Sequence, residues 1–330
     1  MTTLLAGDIG GTKSLLALYA LKAGGHFELL RSERYASNDW DDLAPMLESF
    51  LGHGQPTPAA ACLAVPGPVE AGQAQLTNLD WQLDGRQLAE ATGIRHFELI
   101  NDFAVLIYGL PYLNSQQQAQ IRPGVSRPEA PLLILGAGTG LGVAYGVPTP
   151  TGLIAVASEA AHGEFAPRSQ QEWELKEWLA SKRGLKRVSI ERVVSGTGLG
   201  EVARWLLHIH HPGGDHPLIP LAEGPELPAA VVASAALGES LACTALEIWI
   251  GCYGSVCGDL ALAGLSRGGV WLAGGTAGKL LKSLRTPSFS QAFLNKGRLE
   301  PVLASMPITA VVDPAIGQFS AACRARMLLA

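Results

Sequence analysis

Short apolar runs broken by glycine turns alternate along the chain with longer segments whose apolar residues recur at helical spacing. The first run, LLAGDI (4–9), meets the turn GGTK and continues as SLLALY (14–19), which predicts strand, glycine turn, strand. Phe27 to Tyr35 supplies a third antiparallel strand. Trp40 to Phe50 has helical spacing, with Trp40, Leu43, Leu47 and Phe50 on one face. Ala60 to Val65 is a strand stopped by Pro66-Gly67-Pro68. Leu83 to Ala91 is a short helix, and Phe97 to Ile100 a strand ending at Asn101-Asp102.

The opening pattern then recurs. LLAGDIGGTKSLLALY and LLILGAGTGLGVAYGV both set small residues between two apolar runs, which suggests two related half-molecules. Pro123 to Pro131 separates the copies and reads as a boundary. Helices are expected over Glu172–Leu179, Thr197–His208, Pro228–Cys243, Ala245–Ala263 and Pro287–Leu294. Strands are expected over Val270–Ala273, running into Gly274-Gly275, and over Ile308–Val312. A last helix, Ala315–Leu328, returns to the first domain.

At 330 residues the chain exceeds the size at which one core stops growing, so two domains are expected. Hydrophobic residues make up 48% and charged residues 16%, a core-rich globular composition. The net charge of -5 gives no support for nucleic-acid binding, and the basic residues from Lys176 to Arg192 read as a solvated face. The start lacks a basic n-region and reads as a buried strand, not a signal peptide. Val231 to Leu265 is apolar but interrupted by Glu239, Glu247 and Asp259, which predicts buried helices, not a membrane span. Five cysteines point to free thiols in a reducing compartment, hence the cytoplasm. His208, His210 and His211 lack a carboxylate or cysteine set and read as an exposed loop end.

The candidate chemistry begins at the glycine turns. In Gly7-Asp8-Ile9-Gly10-Gly11-Thr12-Lys13, closely spaced glycines let backbone amides approach phosphate oxygens. Thr12 adds a hydroxyl and Lys13 a cation, and Asp8 places a carboxylate where hydrated magnesium can meet it. Gly136 to Gly142, with Gly138, Thr139 and Gly140 at its centre, can serve the same way from the second half. Other motifs fail. Neither Gly136 nor Gly138 starts a Gly-x-Gly-x-x-Gly fingerprint. Gly274 to Leu280 lacks the first glycine and the metal-binding hydroxyl of a Walker turn, and Gly254 to Gly258 has the wrong spacing for a nucleophile elbow.

Asp102 follows a strand and precedes a helical run. Transfer from ATP to a sugar hydroxyl needs a carboxylate near that hydroxyl, and Asp102 fits; so does a helix cap, and one placement serves both. Asn101 offers a donor and an acceptor beside it. Glu159 and His162, three apart, converge on one ligand if the segment turns, and Glu191 adds another acceptor for a polyhydroxyl ligand.

Together the segments LAGDIGGTKSLLALY, CLAVPGPVE, LTNLDWQL, FELINDFAV, LGAGTGLGVAYG, EAAHGEFAP, IERVVSGTGL and WLAGG resemble the bacterial glucokinase family, within the hexokinase–actin–Hsp70 ATPase superfamily. The resemblance implies a two-domain α/β, actin-like (ribonuclease H-like) fold with an interdomain cleft. The small domain would span 1–112, completed by helix 314–330, and the large domain 113–313. The resemblance also implies ATP and Mg2+, transfer to the 6-hydroxyl of D-glucose, and a homodimer. Neither structural zinc nor nucleic acid is implied, since the cysteine-rich motif and helical module of the related repressor kinases are missing. It makes Asp102 the base and Asp8, Gly10, Gly11, Thr12 and Lys13 the first phosphate loop. Gly138, Thr139 and Gly140 form the second, Gly274 and Gly275 line the adenosine site, and Asn78, Asn101, Glu159, His162 and Glu191 hold the sugar. Two departures stand out. Ser158-Glu159-Ala160-Ala161-His162 replaces the Gly-Glu-Gly-Gly-His of many relatives, and Lys13 replaces Asn. A kinase for another hexose, or a sugar sensor that barely turns over, remains an alternative.

Overall fold

The computed structural model describes residues 1–52, 56–76 and 79–329. Asn78 lies outside them. In chain order the elements are β1 (Thr2–Ile9), β2 (Lys13–Leu21), β3 (Phe27–Ala36), α1 (Leu43–Leu51), β4 (Ala60–Val65), β5 (Gln73–Gln75), β6 (Gln82–Asp84), α2 (Gly85–Thr92), β7 (His96–Asn101) and α3 (Leu106–Gly109). There follow β8 (Gln118–Arg122), β9 (Leu132–Ala137), β10 (Leu141–Thr149), β11 (Gly152–Ser158), α4 (Gln170–Arg183), α5 (Ile190–Val193), α6 (Gly196–His210), α7 (Leu227–Ala236) and α8 (Ser240–Ala263). The chain closes with β12 (Gly269–Ala273), α9 (Gly275–Lys279), α10 (Leu281–Leu284), α11 (Pro287–Leu294), α12 (Glu300–Ala304), β13 (Ile308–Val311) and α13 (Ile316–Met327).

Internal contacts divide the chain into two compact units. The first comprises Met1–Asn114, Thr149–Ala157 and Asp313–Ala330, and the second Ser115–Pro148 and Ser158–Val312. In the first, one sheet runs β3-β2-β1-β4-β7. β1 pairs with β2 and β2 with β3 antiparallel, whereas β1–β4 and β4–β7 are parallel. In the second, β10-β9-β12-β13 repeats the order β2-β1-β4-β7, with β9–β10 antiparallel and β9–β12 and β12–β13 parallel, and β8 is added antiparallel beside β13. The sequence repeat is therefore a repeat of topology. Each copy opens with a hairpin, because only a tight turn can join neighbouring antiparallel strands after so few residues.

The central parallel strands β4 and β9 carry continuous apolar runs, as strands covered on both faces must. Every residue of Ala60–Val65 is buried. In the first unit Leu5, Leu16, Leu63, Met46 and Phe50 pack one core. In the second, Leu133, Val143, Trp249, Tyr253 and Phe289 anchor another. Helix α8 is long and apolar enough to cross a membrane, but 78% of its most apolar window is buried within the protein, as a core helix requires.

Several expectations are corrected. Helix α7 stops at Ala236, well before Cys243, because Gly238 takes a positive φ of 83° and the Glu239 carboxylate caps α8 through the amides of Leu241 and Ala242. Gln82–Asp84 is a strand, not the start of a helix, and Asp84 caps α2. The Pro123–Pro131 stretch is tied into the second unit by Val125 to Ser305 and Gly268 to Pro131 backbone bonds. Nor is the Lys176–Arg192 run simply a solvated face. Lys176 bonds Glu164 at 2.6 Å and the Phe165 carbonyl, and Arg183 pairs with the buried carboxylate of Glu201. His208 and His211 lie at the end of α6, not on a free loop: the His208 ring lies tilted against Trp178, while His211 bonds Asp215 and lies tilted against His216.

Gly254 and Gly258, set aside as a nucleophile elbow, form the crossing of α8 and α11. A β-carbon on either would overlap a backbone carbonyl of α11, that of Phe289 or Phe293. Gly254→Ala is expected to destabilise the protein by ~1–3 kcal/mol, the usual cost of overpacking a close contact. A lower urea midpoint with unchanged kcat/KM of the folded enzyme is the expected result.

Candidate active site

In sheets of this kind ligands gather beyond the carboxyl ends of the parallel strands. In the first unit those ends lie side by side, with Asp8 opposite Ala64 and Val65 opposite Asn101. The first glycine turn leaves β1 at Gly10. The Gly10 amide donates to the Lys13 carbonyl at 3.0 Å, and the Ser37 hydroxyl donates to the Gly10 carbonyl at 2.7 Å. Thr12 and Lys13 are exposed at its tip. The Asp8 carboxylate sits where α13 begins, so close that a β-carbon on Gly317 would stand 3.0 Å from its Oδ2. Burial pushes the Asp8 carboxyl above its ordinary range.

Asn101 ends β7. Its Oδ1 accepts from the amides of Phe103 (3.0 Å) and Ala104 (2.9 Å), and its Nδ2 donates to the Gly67 carbonyl (3.0 Å) and to Asp102 Oδ1 (3.3 Å). The Asp102 amide is fixed by the Val65 carbonyl at 2.8 Å. Asn101 thus caps the turn that leads into α3, four residues before the helix cap at Val105, and its amide bonds the Asp102 carboxylate.

The second unit builds the counterpart. β9 ends at Ala137, the Gly138 amide donates to the Gly140 carbonyl at 2.8 Å, and β10 resumes at Leu141. Three consecutive carbonyls of this turn are held from one side. Ala137 accepts from Thr276 Oγ1 (2.7 Å), Gly138 from the Gly196 amide (2.7 Å) and Thr139 from Thr197 Oγ1 (2.9 Å). Gly274, with a φ of 81°, brings the loop after β12 against Ala137. Gly138–Gly140 and Gly274-Gly275 therefore meet at the ends of neighbouring strands.

Glu159, His162 and Glu191 lie on adjoining segments. Residues 159–162 do turn, and His162 Nε2 stands 3.6 Å from Glu159 Oε2 with both side chains largely exposed. The Ile190 amide bonds the Gly163 carbonyl at 2.8 Å, which sets α5 beside this turn. Glu191 Oε2 accepts from the Leu141 amide at 2.9 Å, and a β-carbon on Gly140 would come within 2.5 Å of it. So Glu191 also braces the second glycine turn. Ala160 and Ala161 fit without strain: among the described residues only Ala71 and Leu265 have positive φ outside glycine.

Sequence reasoning gave no role to Ser37, Gly196, Thr197, Thr276 or Gly317. Ser195-Gly196-Thr197-Gly198 is a helix-start signature, with Ser195 Oγ capping the Gly198 amide at 2.9 Å, but nothing local says that it docks on the turn 138–139. Among the described residues no group of three or more His, Cys, Asp or Glu is placed to hold a metal. A single carboxylate such as Asp8 fits Mg2+, which keeps waters and takes its remaining ligands from substrate phosphates.

Comparison with known proteins follows from this geometry. The solved structure of a glucokinase from an Antarctic psychrotroph superposes with a TM-score of 0.83 at 29% identity, covering 99% of both chains. One from Balamuthia mandrillaris shares the fold at a TM-score of 0.76 and 20% identity, over 98% of this chain and 94% of that one. The fold is thus the α/β fold of the actin-like ATPases, two mixed sheets with packed helices. The glucokinase family profile matches residues 5–328. The glucokinases of Nostoc sp. and Synechocystis sp. are 38% and 39% identical, covering 99% and 96% of this chain and 100% and 96% of their own. The chain belongs to the glucokinase family.

Two outcomes follow. Gly140→Ala displaces the Glu191 carboxylate and is expected to lower kcat/KM by ~10-fold or more, measured by initial rates. Asp8 has a raised folded pKa, so its neutral form is favoured by the fold, and stability falls as pH rises through that pKa. Asp8→Asn is therefore expected to raise the melting temperature of the ligand-free protein at pH 7, with the gain shrinking in acid, while turnover drops ~10²-fold or more.

Proposed function

We propose that this chain is an ATP-dependent glucokinase. It transfers the γ-phosphoryl group of ATP to the 6-hydroxyl of D-glucose and yields glucose 6-phosphate and ADP. The observation that carries this reading is the duplicated glycine turn at the end of each sheet's first strand, with an acceptor-activating carboxylate in one unit and a set of hydroxyl acceptors in the other. Family membership supports the same activity.

In this reading Asp102 takes the proton from the 6-hydroxyl as the new phosphorus–oxygen bond forms, and Asn101 fixes its carboxylate. Glu159, His162 and Glu191, joined by Asn78, hold the ring hydroxyls. Gly10, Gly11, Thr12 and Lys13 take phosphate oxygens from one side and Gly138, Thr139 and Gly140 from the other. Gly274 and Gly275 border the adenosine, and Asp8 would hold hydrated Mg2+. The magnesium ion would neutralise charge on the phosphates. Residues 1–112 with 314–330, and 113–313, act as the two domains of a closing cleft, which keeps water from competing as acceptor. The enzyme works in the cytoplasm as a homodimer, without structural zinc, nucleic acid or membrane. A second reading, another hexose as acceptor, draws on Ala160 and Ala161, which separate Glu159 from His162 along the turn.

The test is ADP release from magnesium-ATP with and without glucose, in wild type and in Asp102→Asn. Release should depend on glucose and fall at least ~10²-fold in the variant, while glucose affinity changes little. Near-wild-type turnover in Asp102→Asn removes the base assignment.

A further inference from the structure

Three consecutive carbonyls, those of Ala137, Gly138 and Thr139, point into the second unit, and each has one donor there. The peptide unit is planar and trans, so the amide of the next residue points the opposite way. Pinning the Gly138 and Thr139 carbonyls inward therefore turns the Thr139 and Gly140 amides outward. Among the described residues neither amide has a protein acceptor. Successive outward amides in a tight turn form an anion-binding concavity.

Two of the three inward donors are side-chain hydroxyls from distant points of the chain. Thr197 stands in the first turn of α6 and Thr276 in the first turn of α9. Gly196 completes the set with its own amide, and its backbone approaches so closely that a β-carbon there would lie 2.7 Å from the Gly138 oxygen. We propose that Thr197 and Thr276 are positioning residues for the nucleotide: Thr197 holds the Thr139 carbonyl and with it the outward Gly140 amide, and Thr276 fixes the entry of the turn at Ala137, so that the Thr139 and Gly140 amides face the phosphates. The proposal rests on the reading of 138–140 as a phosphate-binding turn. It adds two residues that need not touch substrate.

Replacing either threonine by valine keeps the shape and removes the donor, leaving the turn free to rotate its peptide planes. The experiment is calorimetric titration of MgADP and, separately, of glucose into wild type, Thr197→Val, Thr276→Val and the double variant. The corresponding Thr→Ser variants, and Thr244→Val as a control, complete the set. Among the described residues Thr244 bonds only its own helix, at the Ser240 carbonyl. Each valine variant should bind MgADP about 3–10-fold more weakly, the range for one lost neutral hydrogen bond, and the double variant more weakly than either. Serine should restore affinity, glucose affinity should not move, and Thr244→Val should match wild type.

Wild-type MgADP affinity in both valine variants overturns the proposal, as does serine as weak as valine. An equal loss of glucose affinity overturns it too, since that is general unfolding of the unit. If wild type binds MgADP and shows these shifts but transfers nothing to glucose, the positioning role stands and the glucokinase reading falls. If wild type binds no MgADP, both fall.

Discussion

A backbone amide can serve an anion only where the chain stops using it for the sheet, and the partner carbonyl must then be satisfied elsewhere. That constraint shapes both glycine turns. In the second, Gly138 accepts the Gly196 amide at 2.7 Å, an approach that admits no side chain on residue 196. In the first, Ser37 donates to the Gly10 carbonyl, and its hydroxyl meets that of Ser14 at 3.0 Å in a fully buried contact. Each turn is thus braced by a segment remote in sequence. Each also sits at the end of a strand buried on both faces, so the sheets supply the rigidity that the turns lack.

The same economy governs the polar side chains beside the turns. Asn101 uses both polar atoms of its amide, to cap a turn and to bond the Asp102 carboxylate. Glu191 gives one carboxylate oxygen to the Leu141 amide and links α5 to the second glycine turn within one unit. Asp8 carries the opposite stress. Its carboxylate is held mostly out of water against the start of α13, which costs stability in the ligand-free fold and suits a group whose partner is a cation.

Much of this was legible in the sequence. Apolar runs around small residues located both hairpins, because a strand–turn–strand is specified by neighbours in sequence. The turn that brings Glu159 to His162 was visible as a three-residue spacing. A cap stood beside the base reading of Asp102, and the capping side chain is that of its neighbour Asn101. What the sequence withheld is contact between distant points. Thr197 and Thr276 read as ordinary helix starts, and only the docking of α6 and α9 on the turn 137–139 reveals their partners. The break before α8 was misplaced because Ala and Leu continue through it, and a single glycine at positive φ decides it. The buried carboxylate of Glu201, paired with Arg183, was equally invisible, since periodicity does not tell a solvated charge from a paired one.

A glucokinase moves a phosphoryl group from ATP onto one particular oxygen of glucose. The most direct measurement is two-dimensional phosphorus–proton NMR of the product formed from magnesium-ATP and uniformly labelled glucose. The account predicts a single phosphorus resonance coupled to the protons on carbon 6, with ADP formed in equal amount. Phosphate on any other carbon, or inorganic phosphate alone, would contradict it.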